Sequence, residues 1–81
     1  METIADVKTI EEVLKGIRPE FDFAASEDFF GDGMLDSFDM VLLVSELEKN
    51  FGISIDGMEI LPENFLNIAA IESLLQKYRK Q

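Results

Sequence analysis

Between Gly33 and Gly52 the chain places apolar residues on two sides of what reads as one helix. Met40, Leu43, Val44, Leu47 and Phe51 recur at helical spacing and form a single stripe. Phe38, Val41 and Leu42 cluster on nearly the opposite side, beside Ser45, with Asp39, Glu46 and Glu48 flanking them. A helix with two apolar faces either sits at the centre of a large core or exposes a binding patch. The chain has 81 residues, and a domain of this size buries only about 60% of its unfolded surface. The second face is therefore expected to be exposed and to bind. The helix is expected from about Ser37 to Phe51, with Gly52 as its C′ stop.

The remaining pattern is also helical. Ile10, Val13, Leu14 and Ile17 carry the stripe of a first helix, extended by Val7 and Ile4. Thr9 and Glu12 fit a capping box that would open it, with Thr3 and Asp6 as an earlier start. Pro19 ends it near Ile17 or Arg18. From Arg18 to Leu35 there is no clean periodicity, and a loop of this length tends to be functional. Phe21, Phe23, Phe29, Phe30 and Leu35 are expected to pin this loop, with one helical turn around Ser26 to Phe30. Ile53-Ser54-Ile55 alternates like a strand but has no partner strand, so it is read as an extended connector. Asp56 caps a short third helix over Gly57 to Leu61, which Pro62 breaks. Asn67 caps a fourth helix, whose stripe is Ile68, Ile71, Leu74, Leu75 and Tyr78. Lys77, Arg79 and Lys80 suit the negative end of its dipole. The expected fold is all-α: a small four-helix bundle with a long loop between helices one and two and a short third helix, forming a single domain over residues 1–81. Its expected core is Ile10, Val13, Leu14, Ile17, Leu35, Leu43, Val44, Leu47, Phe51, Ile68, Ile71 and Leu75.

Composition narrows the function. Seventeen acids against seven bases give a net charge of −10. Phosphate backbones need clustered Lys and Arg, so nucleic acid is excluded as a partner. An anionic membrane surface would repel the chain, and no apolar run is long enough to insert. The acidic, amphipathic N-terminus is unlike a signal peptide, so a cytoplasmic monomer is expected. A partner with a basic face would be steered in by long-range attraction. There is no Cys and no His. The chain thus lacks a thiol nucleophile, a thiolate metal site and the commonest general base. Ser37 has only carboxylates around it in sequence, and these are too weak to activate a serine. The chain is not expected to be an enzyme.

Ser37 nevertheless stands at a helix start, where unpaired backbone N–H groups favour a phosphate. The simpler alternative is that Asp36 or Ser37 only caps the helix. A second alternative comes from Asp28, Asp32, Gly33, Asp36 and Asp39, which fall at EF-hand-like positions one, five, six, nine and twelve. Phe30 at position three and Asp39 in place of the final Glu count against a calcium loop. No dedicated metal site is expected.

The wider pattern, Gly31-x-Gly33-x-Leu35-Asp36-Ser37-Phe38-Asp39 followed by an apolar helix ending in Leu47-Glu48-Lys49-Asn50-Phe51-Gly52-Ile53, resembles the acyl carrier protein family over essentially the whole chain. That resemblance implies a 4′-phosphopantetheine arm on Ser37, added by a carrier-protein synthase (a phosphopantetheinyl transferase). Asp36 would assist the magnesium ion used in that transfer. The arm's thiol would hold an acyl or aminoacyl group as a thioester. Phe38, Asp39, Val41, Leu42, Glu46 and Glu48 would meet partners: an acyl- or aminoacyl-activating ligase and a downstream acyltransferase with basic docking faces. Fatty-acid carriers usually have Leu after the serine and an acid where Leu42 stands. Ile60-Leu61-Pro62-Glu63-Asn64-Phe65 is instead similar to stand-alone carriers of the D-alanyl type. Fatty-acid cargo is the alternative, and a plain helical interaction module or a degenerate EF-hand-like ion binder is the rival from another class.

Overall fold

The computed structural model describes the backbone of residues 2–79 and the side chains of residues 7–78. Three α-helices span the described chain: α1 (Glu2–Ile17), α2 (Ser37–Phe51) and α3 (Ile68–Arg79). Short 3-10 turns occupy Phe23–Ala25, Gly57–Glu59 and Pro62–Phe65, and no strand occurs among the described residues. Ile53-Ser54-Ile55 is accordingly an irregular connector.

The boundaries of α2 are those the sequence predicts. Asp36 caps its start, and Gly52 ends it in the left-handed conformation at φ 66°. The Gly52 and Ile53 N–H groups both donate to the Glu48 carbonyl, at 2.9 and 3.2 Å. A residue with a Cβ would be strained at that φ, which is why glycine stops the helix there. For α3, Asn67 Oδ1 accepts the Ala70 N–H at 2.8 Å, as a cap should. Lys77 is drawn to Glu59 at 3.3 Å; the side chains of Arg79 and Lys80 lie outside the described residues.

Two helical expectations are corrected. Helix α1 begins at Glu2, so Thr9 and Glu12 lie inside it and do not open it. The apolar stripe continues N-terminal to Thr9 through half-buried Val7, so packing carries the helix past the capping motif. The Thr3–Asp6 alternative and the contribution of Ile4 concern side chains outside the described residues. The short third helix is a single 3-10 turn, Gly57–Glu59, capped by Asp56, which accepts the Met58 N–H at 2.9 Å, and it ends before Leu61; a second 3-10 turn follows at Pro62–Phe65. Pro62 has no N–H to close an α-helical bond, and it forces Leu61 into extended geometry at φ −126°, ψ 144°. Leu61 therefore cannot extend the preceding turn, and Pro62 opens a new one. Asn64 Nδ2 bridges the two turns by donating to the Glu59 carbonyl at 2.7 Å.

The long loop is held by its aromatic residues. Phe23 and Phe29 meet edge to face at 5.0 Å, and both are buried. Its single helical turn falls at Phe23–Ala25, before the predicted Ser26–Phe30. The loop is also sewn to the approach to α3. Phe29 N–H donates to the Leu66 carbonyl at 2.7 Å, and Asn67 Nδ2 donates to the Glu27 carbonyl at 3.0 Å. Phe29 carbonyl accepts from both Met34 and Leu35, at 2.8 and 3.2 Å, around Gly33 at φ 74°.

The core forms where α1 packs on α2 and α3. Nine of the expected core residues are buried: Ile10, Val13, Leu14, Leu35, Leu43, Val44, Leu47, Ile71 and Leu75. Ile17, Phe51 and Ile68 are only half-buried at its edge. Phe23, Phe29, Met34, Ile55, Phe65 and Leu74 complete it, so the connecting segments supply much of the core.

Candidate functional site

Ser37 is the first residue of α2 and is exposed. The residue before it does the capping. Asp36 Oδ1 accepts the Asp39 N–H at 2.9 Å, and Asp39 Oδ2 accepts the Asp36 N–H at 3.2 Å. This is a reciprocal capping box built from two aspartates. It leaves the Ser37 hydroxyl outside the cap, facing solvent beside the N-terminal N–H groups of the helix.

Arg18, just past the end of α1, braces this cap. Its Nε donates to Asp39 Oδ2 at 2.9 Å, and its terminal nitrogens lie 3.6 Å from Asp36 Oδ2 and 3.5 Å from Glu20 Oε2. The hydrogen bond to Asp39, followed by attraction to its charge, holds the guanidinium still more firmly protonated than usual; Glu20 adds to this and burial opposes it. A single cation thus gathers three carboxylates at the base of α2.

Two of the expected partner residues are engaged within the fold. Asp39 is 7% exposed, and its carboxylate is engaged by the cap and by Arg18. Glu48 is half-buried, and its Oε2 accepts the Ile55 N–H at 2.8 Å, fixing the connector after α2. The other expected residues do face outward. Phe38 is 82% exposed, Val41 63% and Leu42 54%, and Glu46 is part-exposed beside Lys49 at 3.7 Å. Sequence reasoning missed Arg18, which lies 21 positions from Asp39. The Asp36-x-x-Asp39 spacing was a visible signal that Asp39 belongs to a capping box. Replacing Asp39 with alanine is expected to lower stability by about 1–3 kcal/mol, because the Asp36 N–H loses its partner and the cap opens. Urea denaturation checks this.

The EF-hand-like spacing does not gather ligands. Asp28 Oδ1 accepts the Gly31 N–H at 2.9 Å, and Asp32 Oδ2 accepts the Ser26 hydroxyl at 2.6 Å. Asp36 and Asp39 are taken by the cap. Among the described residues no group of three or more acids converges on a metal-sized point.

The site is thus an exposed serine after a capping aspartate, at the tip of an amphipathic helix. A family model described as a phosphopantetheine attachment site matches residues 4–75. The chain belongs to the phosphopantetheine-attachment family. No curated protein and no solved structure matches it. Members of this family are attachment sites for 4′-phosphopantetheine. Such carrier domains are not themselves catalytic and work with a phosphopantetheinyl transferase and partner enzymes. In this member, no helix among the described residues is long and apolar enough to cross a membrane.

Proposed function

We propose that Ser37 carries the arm and that the chain presents an acyl or aminoacyl thioester to partner enzymes of a specialised biosynthetic pathway. The observation that carries this reading is the division of labour at the tip of α2: Asp36 caps the helix, and Ser37 is left exposed. The residues fit the group. A phosphodiester on the Ser37 oxygen lies at the positive end of the helix dipole, next to N–H groups that lack helical partners. The bound arm supplies a thiol, which a chain without cysteine does not have.

The chain's own residues do the positioning. The Asp36–Asp39 box and Arg18 fix the first turn of α2, so the attachment oxygen has a defined direction. Asp36 Oδ1 is committed to the cap. Its Oδ2, on a side chain 58% exposed, is the oxygen available to a metal ion during transfer, with Arg18 as its competitor at 3.6 Å. Phe38, Val41 and Leu42 form the exposed apolar surface next to the attachment point. The apolar character of Phe38 and Leu42 and the Ile60–Phe65 segment favour aminoacyl or specialised cargo over fatty-acid cargo.

The test is to incubate the protein with coenzyme A, magnesium and a broad-specificity carrier-protein synthase and measure intact mass. The expected result is a gain of one phosphopantetheine, mapped by proteolysis to the peptide containing Ser37. No gain, or a gain elsewhere, overturns the reading. Loading the product with candidate acids and adenylating enzymes then identifies the cargo.

A further inference from the structure

Helices α1 and α2 do not close fully on one another. Beside their contact runs an open groove of about 520 Å³, lined on α1 by Glu12, Val13, Gly16 and Ile17 and on α2 by Leu42 and Glu46. Leu42 and Glu46 lie one turn apart in one row of α2, and Glu12 and Gly16 do the same on α1. One i, i+4 row from each helix therefore flanks the groove, and such rows are the ridges against which a third helix packs. Gly16 helps to keep it open. A Cβ at that position would meet nothing within 4 Å. Nothing packed against it calls for glycine in a helix where alanine is the better former.

The groove carries charge of one sign. Its lining is mixed: Ile17 and Leu42 offer apolar surface beside the uncharged polar Thr9 and Asn50, and through Leu42 the groove joins the exposed patch on α2. Among the described residues its only charged lining groups are Glu12 and Glu46, on opposite walls, in a chain of net charge −10. The Glu46–Lys49 pair at 3.7 Å is an exposed contact that an incoming cation replaces at little cost. Glu46 also stands nine positions after Ser37, about half a turn round the helix at roughly 100° per residue. An arm on Ser37 thus leaves α2 on the flank away from the groove.

We infer that the α1–α2 groove docks a basic amphipathic helix of a partner enzyme. Its apolar stripe fills the space beside Gly16, and Lys or Arg residues on its two edges meet Glu12 and Glu46. The arm on the opposite flank stays free to enter that enzyme. That the partner acts on the arm rests on the carrier reading above; the groove's preference for a basic helix does not.

The probe is a synthetic helical peptide with leucines at i, i+3, i+4 and i+7 and lysines on both edges, together with a counterpart carrying glutamates. Each is titrated into the full-length ¹⁵N-labelled protein. The lysine peptide is expected to shift the amides of Glu12, Gly16, Ile17, Leu42 and Glu46, more weakly as salt rises, and the glutamate peptide is not. Gly16→Phe, whose fold is checked by its melting curve, is expected to weaken binding at least tenfold. The exposed charge reversals Glu12→Lys and Glu46→Lys are expected to weaken it several-fold. Equal binding of both peptides overturns the inference. So do shifts centred on Phe38 and Val41 or on Met58 and Leu61, or self-association that covers the same groove. Failure of the wild-type protein to accept an arm sinks the carrier reading and leaves the peptide result standing.

Discussion

Ser37→Ala is expected to abolish arm attachment completely while leaving stability within about 0.5 kcal/mol of wild type. These two halves come from different atoms. Attachment needs the hydroxyl oxygen, which alanine lacks, and no nearby group replaces it. Folding needs the cap, and the cap belongs to Asp36 and Asp39. Intact mass after incubation with coenzyme A and the synthase reads the first half, and a thermal melt reads the second. A wild type that gains the arm beside a folded variant that stays at apo mass separates a carrier from a helical interaction module, in which neither would gain mass. A variant that still gains an arm places the attachment elsewhere. Asp39→Ala is the mirror case, because it damages the cap and spares the hydroxyl.

Leu47→Ala is expected to cost about 2–5 kcal/mol. Leu47 is fully buried in the core stripe of α2, so the lost methyl groups leave a space that the three packed helices fill only in part. At about 0.05–0.15 kcal/mol per residue, a chain of this length has only about 4–12 kcal/mol in total. The substitution therefore removes a large share of it. The denaturant midpoint should fall sharply with little change in slope. Leu42→Ala, one turn away in sequence and more than half exposed, is the control and should barely move the midpoint. A small effect at Leu47 would mean that α2 does not bury this face.

Local chemistry made α2 legible to the residue. Asp36, Gly52 and a stripe at helical spacing all mark the same helix, and nothing distant contradicts them. The exposure of Phe38, Val41 and Leu42 was legible for a related reason: a core this small has room for only one face of α2. Where local signals competed with packing, packing won. Thr9-x-x-Glu12 is a sound capping motif, yet the stripe continues through Val7 and the helix runs on. The third helix was legible in its cap, Asp56, and in its break at Pro62, but it is one 3-10 turn that ends at Glu59, because Pro62 holds Leu61 extended. The burial of Met34, Ile55 and Phe65 was hidden, since residues in irregular segments have no period that reveals which way they point. Arg18 was hidden for the same reason. Its partner is brought to it only by the folded path of the loop, whereas the inward turn of Asp39 was readable from the Asp36-x-x-Asp39 spacing.

The stitches between the long loop and the approach to α3, from Phe29 to Leu66 and from Asn67 to Glu27, have a mechanical consequence. They anchor the segment leading to Ser37 from behind, as Arg18 anchors the helix tip from the side. On the carrier function proposed above, an arm on Ser37 would pivot on a point held from two sides, and its cargo would search the volume that its tether sweeps. For a tethered group, local concentration at a target depends on tether length. A held pivot would keep that length close to the arm's own, so an enzyme docked on such a carrier would meet the thioester at high local concentration.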